Sequence, residues 1–496
     1  MISTLTGTIS VSNEKNMVFR KIAFSTAILS SVTIFRMLAQ LLIIPFLSRI
    51  LSPADYGLVA MAMPFVLFSM MFTDAGMGQS LLRGAAGKKD IWSTCFWLTI
   101  ILGIVFFLLI MLAAPLAAFF FNEPRLRPLV TALAFVVLPQ AATTIPEAYL
   151  RQNHKFGTLA GTEIVAMTGG LLTATLVAFE GGGAWALIAQ QLVLYSLRFL
   201  LTFWLSKFWP RMVFDLRNVK EHLIFGRNVL GANFMMTLTQ SLDNLIIGKI
   251  LGSWLLGFYS MAFLFVRLPL RIISGPLEYV VYAHLAPLGD NKAVIRQMFL
   301  LLTRIQAILL FPTIGMVATA HEPIFKLLLS DKWLQSGTLY MIAAPAAALQ
   351  AMTAFSGAFL MALGRTDIQL RLNTEFCALF AGALLVFSRF GITWAVATYS
   401  IMVFLYFPRF IMLVLPPLGC SRTAYLRMSI APIAITTVCI MMYLNVTRSF
   451  IASDWTYLLL SAGIAVLGIA AGALAQYRSL FHEVAMFDAA EAAHSA

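Results

Sequence analysis

Apolar residues fill runs of about 20 positions, the length a helix needs to cross hydrocarbon, and polar positions gather between the runs. The runs fall at approximately 22–47, 56–80, 93–121, 128–149, 158–179, 184–206, 224–250, 255–286, 298–319, 336–362, 368–388, 391–415, 427–446 and 455–476. This pattern predicts an all-α polytopic membrane protein with about 14 transmembrane helices, because helices satisfy every backbone group within the segment, as lipid demands. A short amphipathic piece from Pro323 to Leu334 suits the interface rather than a crossing.

The pattern also repeats. Setting residue i against i+200 from 38 to 66 gives ten identities in 29 positions without a gap, among them Gln40 with Gln240, Gly57 with Gly257 and Met61 with Met261. Six spans, an even number, separate the copies, so the repeat is parallel, with its axis along the membrane normal. The expected organisation is a cytoplasmic N-terminus (1–21), an N-lobe of spans 1–6 (22–206), an interlobe linker (207–223), a C-lobe of spans 7–12 (224–415), two additional C-terminal spans (416–476) and a cytoplasmic tail (477–496). Two six-helix lobes are thus related by the repeat, with two helices appended.

Composition agrees: 60% of residues are hydrophobic and 11% charged, against about 25% charged in soluble domains. The net charge of +13 is spread between apolar runs with no dense cluster, which argues against nucleic acid. With the N-terminus inside, 21 of the 34 Lys and Arg fall in cytoplasmic segments and 8 on the opposite side, leaving Arg36, Arg198, Arg267, Arg271 and Arg409 within spans. The bias places both termini in the cytoplasm. About 20 polar residues precede the first run, unlike a cleaved signal peptide, so that span is expected to be retained. Cys95, Cys377, Cys420 and Cys439 lie in separate runs without metal or redox spacing and read as packing residues.

Candidate chemistry concentrates in spans 7 and 8, with a counterpart in span 1. Asn233, Gln240 and Asn244 fall at i, i+7 and i+11 with Asp243 beside them; Arg267, Arg271, Ser274 and Glu278 fall at i, i+4, i+7 and i+11; Thr33, Arg36 and Gln40 form a third polar stripe. At 1.5 Å per residue, Arg267 and Arg271 lie roughly 18–24 Å from the start of their span. A central Arg costs about 2.5–3.5 kcal/mol there unless it meets a carboxylate, water or an anion. Asp74, Asp243 and Glu278 are the acids expected to be available. One reading is a structural ion-pair network between helices. The other gains from five intramembrane arginines set against Asp74, Asp243, Glu278 and, nearer a span end, Glu147, and makes the site a receptor for an anion such as phosphate. Pro269, Pro276 and Pro287, with Gly275 between, predict a broken span 8.

Enzyme constellations are absent. His154, His222, His284 and His321 lie near span ends without metal or nucleophile spacing, Gly169–Gly170 and Gly181–Gly183 match no phosphate loop, and no loop between spans exceeds about 20 residues.

The segments SRILSPADYGLVAMA (Ser48 to Ala62) and TDAGMGQSLLR (Thr73 to Arg83) resemble the first two helices of bacterial polysaccharide transporters, the lipid-linked oligosaccharide flippases of the multidrug/oligosaccharidyl-lipid/polysaccharide exporter superfamily. Gln240 to Leu285 resembles that family's seventh and eighth helices, and Ala148 to Glu163 its fourth-to-fifth connection. The resemblance implies two bundles around a cationic cavity, in the bacterial inner membrane, that move an undecaprenyl-diphosphate-linked repeat unit by alternating access. Asp74, Asp243, Arg267 and Arg271 match recurring charged positions of that pattern, whereas an arginine expected near 245 is replaced by Leu245. On this reading Arg267 and Arg271, with Arg36, hold the diphosphate, and Gln40, Gln240 and Asn244 contact sugar hydroxyls. The expected partners are the lipid-linked oligosaccharide, membrane lipids, and polysaccharide polymerase and export machinery, for a monomeric protein with no cofactor beyond a coupling H+ or Na+. Two alternatives stay open: a cation-coupled multidrug-type exporter using Asp74, Asp243 or Glu278, and a non-transporting scaffold of an assembly complex.

Overall fold

The computed structural model describes residues 35–84, 89–215, 220–285, 292–449 and 453–477. Among them the α-helices are α1 (35–50), α2 (Pro53–Asp74), α3 (Met77–Gly84), α4 (Lys89–Phe121), α5 (Leu126–Gln152), α6 (Phe156–Phe179), α7 (Ala184–Ser206), α8 (Lys220–Leu285), α9 (Lys292–Thr319), α10 (His321–Leu328), α11 (Leu334–Thr353), α12 (Ser356–Ala362), α13 (Thr366–Phe387), α14 (Ile392–Val414), α15 (Arg422–Ser449) and α16 (Asp454–Ala475), joined by short turns and irregular segments. Twelve helical stretches among the described residues are long and apolar enough to span a membrane. Counting α1 and both arms of α8 gives the predicted fourteen.

The two arms of α8 meet at Gly252, whose φ of 81° and ψ of 176° belong to a region that only glycine enters cheaply. The chain reverses there. Tyr259 reaches Asp243 at 3.0 Å, although 16 residues of unbroken helix would hold them about 24 Å apart. Gly252 is the sole residue of α8 with non-helical dihedrals, so the break expected at Pro269 and Pro276 is instead continuous helix, and Pro287 lies outside the described residues. Membrane helices carry proline where neighbouring groups satisfy the carbonyl it frees.

In the first copy the equivalent turn lies at Leu51 and Ser52. Ser52 and Asp55 form a reciprocal cap, Ser52 donating its amide to the Asp55 carboxylate at 2.8 Å while the Asp55 amide donates to the Ser52 hydroxyl at 3.3 Å. Pro53 occupies the first helical turn, where its missing N–H costs nothing.

The chain divides into two compact units, Met1–Leu51 with Ala62–Thr237, and Ser52–Met61 with Leu238–Ala496. Within the first, α4 packs on α5, and α7 on both α5 and α6. The segment after α7 is part of this unit: Phe208 is buried beside Trp92, Phe96 and Tyr149, and Arg211 donates its amide to Ser93. Within the second unit α9 is central, packing against α11, α15 and α16. The C-terminal pair fits closely because it presents small residues: a Cβ on Gly468 would lie 2.8 Å from Cys439 Sγ and 3.1 Å from Pro312, and one on Gly472 3.1 Å from Ile308. Asp454, at the start of α16, accepts from Lys326 on α10 at 3.2 Å, and holds that ammonium above the usual lysine range. All four cysteines are free and buried.

Candidate functional site

The nine predicted site residues fall into both units: Arg36, Gln40 and Asp74 in the first, and Gln240, Asp243, Asn244, Arg267, Arg271 and Glu278 in the second.

In the second unit the reversal at Gly252 lays the arms of α8 side by side and brings Asp243 and Arg267 together. Asp243 is 3% exposed. One of its oxygens accepts from Arg267 Nη2 at 2.9 Å and from the Tyr259 hydroxyl at 3.0 Å; the other accepts the Asn244 amide at 2.8 Å. Arg267 also lies 5.6 Å from the Phe263 ring centre, close enough for the ring face to attract a cation. Phe263 stacks on Tyr259 and meets Tyr399 edge-on, and Tyr399 donates to Gln350 at 2.7 Å. Arg267 is therefore held in place by a buried acid and an aromatic wall, the first of the two readings of the sequence. Arg271 differs. One turn further on, it is exposed and pairs with no described acid. Gln240 is also exposed, Asn244 half-buried, and the side chain of Glu278 lies outside the described residues.

In the first unit Arg36 joins a network largely missed in the sequence. Arg198 on α7 donates to Glu147 on α5 at 2.9 Å and lies 3.3 Å from Glu163 on α6; Arg151 donates to Glu147 at 2.6 Å; and Arg36 lies 3.7 Å from Glu163. Three guanidiniums thus share two carboxylates. Asp74, accepting the Gly76 amide, feels Glu147 and Arg151, and a Cβ on Gly78 would touch Asp74, Thr144 and Ala148. The signal was available: Gln140, Thr144, Glu147 and Arg151 fall at i, i+4, i+7 and i+11 along α5.

The second unit repeats the pairing. Arg409 on α14 grips Glu375 on α13 with two hydrogen bonds of 3.0 and 3.1 Å, and Arg371 and Tyr406 complete that carboxylate. Leu194-Tyr195-x-x-Arg198-Phe199 and Leu405-Tyr406-x-x-Arg409-Phe410 stand 211 residues apart, with Thr162-Glu163 and Thr374-Glu375 at 212. The duplication thus extends to the fifth and sixth spans of each lobe, conserving one Glu–Arg tie between them.

This corrects the charge count. Glu163 and Glu375 also lie inside helices and meet arginines of the five, while Arg151, Arg304 and Arg371 lie inside helices too; Arg271 remains the one of the five without an acid among the described residues. Arg304, expected in a cytoplasmic segment, lies 12 residues into α9.

A profile of the polysaccharide biosynthesis protein family matches residues 46–338, more than half of the chain and including both arms of α8. The chain belongs to the polysaccharide biosynthesis protein family. It is 25% identical over 346 residues to the teichuronic acid biosynthesis protein TuaB of Bacillus subtilis (strain 168), covering 68% of this chain and 71% of that one. It is 25% identical over 291 residues to the succinoglycan biosynthesis transport protein ExoT of Rhizobium meliloti (strain 1021), covering 58% and 59%. It is 24% identical over 344 residues to the lipopolysaccharide biosynthesis protein WzxC of Escherichia coli (strain K12), covering 68% and 70%. Among solved structures, the lipid II flippase MurJ in an inward closed conformation superposes with a TM-score of 0.67 at 13% identity, covering 92% of this chain and all of that one. An inward-facing multidrug resistance MATE family transporter of the MOP superfamily gives 0.61 at 14% identity, covering 79% and 99%. This member of the polysaccharide biosynthesis protein family is thus a multi-pass membrane protein with the helical fold those two transporters share.

Proposed function

We propose that the chain is a flippase that moves an undecaprenyl-diphosphate-linked oligosaccharide repeat unit across the bacterial inner membrane, for exopolysaccharide, capsule or O-antigen assembly, by alternating access. Both termini lie in the cytoplasm, and the lobes are spans 1–6 and 7–12, with the last two spans appended. The names of the relatives support polysaccharide assembly, and the MurJ-like fold supports transport of a lipid-linked sugar. The observation carrying the site is Arg271, a deep cation with no described acid beside it, one turn from an arginine already fixed by Asp243. Its five N–H donors suit a diphosphate. Arg267, with its side chain 39% exposed, contributes the donors that Asp243 does not occupy, and Gln240 and Asn244 offer amides to sugar hydroxyls.

The test is Arg271→Ala in a strain lacking the wild-type gene. At normal protein level, polysaccharide should fall and lipid-linked repeat units should accumulate on the cytoplasmic side, with Arg271→Lys restoring part of the export. Unchanged polysaccharide would refute the site. Altered drug susceptibility with intact polysaccharide would instead place the chain among small-molecule exporters.

A further inference from the structure

The first unit contains a cavity of about 660 Å³ between α4, α5 and α7, away from the charged network. Its size falls within the roughly 300–1,000 Å³ of ordinary ligand sites. Met111, Pro115, Phe135 and Trp185 give it apolar walls, and Arg127 and Thr131 stand at its α5 side.

The polar groups are few and specific. Arg127 and Thr131 are four residues apart, hence on one face of α5. Arg127 is exposed and makes no ion pair with a described residue; Glu123, the nearest acid in sequence, is taken by Arg125 at 2.9 Å. An unpaired guanidinium and a hydroxyl at the rim of an apolar groove call for a ligand that joins an anionic, hydrogen-bonding headgroup to a hydrocarbon tail. Depth agrees: Arg127 lies in the first turn of α5 and Trp185 in that of α7, positions at a headgroup level where Trp concentrates and an Arg side chain reaches the interface, whereas Met111 and Phe135 lie deeper.

We propose that this groove is a binding site for one anionic glycerophospholipid, with the phosphodiester on Arg127, the headgroup hydroxyl at Thr131, and an acyl chain along Met111, Pro115 and Phe135. In the orientation proposed above it opens to the outer leaflet. The site is independent of Arg271 and of what the protein transports.

The full chain, purified in mild detergent and delipidated, is given phosphatidylglycerol or phosphatidylcholine of the same chain length and examined by native mass spectrometry. One phosphatidylglycerol should survive activation that strips phosphatidylcholine, and Arg127→Ala should weaken its retention about tenfold, as expected for a lost charge-assisted hydrogen bond. Independently, phosphatidylglycerol with brominated acyl chains should quench a fraction of tryptophan emission that disappears in Trp185→Phe. Glycerol phosphate should not displace the lipid. Equal retention of the two lipids, retention unchanged in Arg127→Ala, displacement by glycerol phosphate, or quenching unchanged in Trp185→Phe would each overturn the proposal.

Discussion

Gly57 and Gly257, 200 residues apart, each lie against the main-chain carbonyl four residues before the other: a Cβ on Gly57 would collide with the carbonyl of Ser253, and one on Gly257 with that of Pro53. The two contacts exchange under the 200-residue offset, as a local two-fold axis between the glycines requires. The obstacle in each case is backbone, which cannot rotate away. Gly57→Ala and Gly257→Ala should each lower stability by about 1–3 kcal/mol, the usual range for overpacking. The double variant should cost less than the sum, since either methyl already separates the same helix pair. Thermal midpoints of the three purified variants check this, and strict additivity would show two independent contacts.

Gly252 should be equally intolerant for another reason. A Cβ there would meet nothing within 4 Å, so space is available, but the dihedrals are not. Gly252→Ala and Gly252→Asn should both destabilise by about 1–3 kcal/mol. If Asn were tolerated, the turn would have relaxed into the ordinary left-handed region, and circular dichroism with thermal melting would show wild-type behaviour.

Around Asp243 the ordering of costs is informative. Asp243→Ala removes three hydrogen bonds and leaves Arg267 unpaired, and should cost about 2–3 kcal/mol, less than for a fully buried pair because the Arg267 side chain is 39% exposed. Tyr259→Phe removes one hydrogen bond and should cost about 1 kcal/mol. Arg271→Ala, at an exposed position, should stay within about 0.5 kcal/mol of wild type while reducing export. A large loss of stability in Arg271→Ala would mean that Arg271 has a structural role and weaken the case for substrate contact.

The duplicated Glu–Arg ties should differ in weight. Arg198 is 23% exposed and serves two carboxylates, whereas Arg409 is 37% exposed and shares Glu375 with Arg371. Arg198→Ala should therefore lower the melting midpoint clearly more than Arg409→Ala, and adding Glu163→Gln should recover part of that loss, because Glu163 is then left with Arg36 at 3.7 Å whereas Glu147 keeps Arg151 at 2.6 Å. Equal midpoints would show that burial does not set the difference.

Hydropathy made the spans legible because lipid leaves few alternatives to a long apolar helix. Charge partners were harder to read. Asp243 and Arg267 are 24 positions apart, and nothing in either arm announces that a single glycine folds them together. Glu163 and Glu375 each sit in an apolar run whose sequence does not show the arginine of the following helix, Arg198 or Arg409, that meets them in the fold. The apolar run ends at 149, which puts Glu147 at a span end, whereas α5 continues to Gln152. The prolines of span 8 predicted a break that the helix absorbs, while the actual break needed no proline.

The reversal at Gly252 also bears on how the protein enters the membrane. If the two arms joined at Gly252 enter the bilayer together as a hairpin, Asp243 and Arg267 partition as a neutral pair rather than as two separate ions. During biogenesis neither arm has to settle alone with a bare charge near its middle. The turn that shapes the folded site would then also lower the cost of inserting its charges.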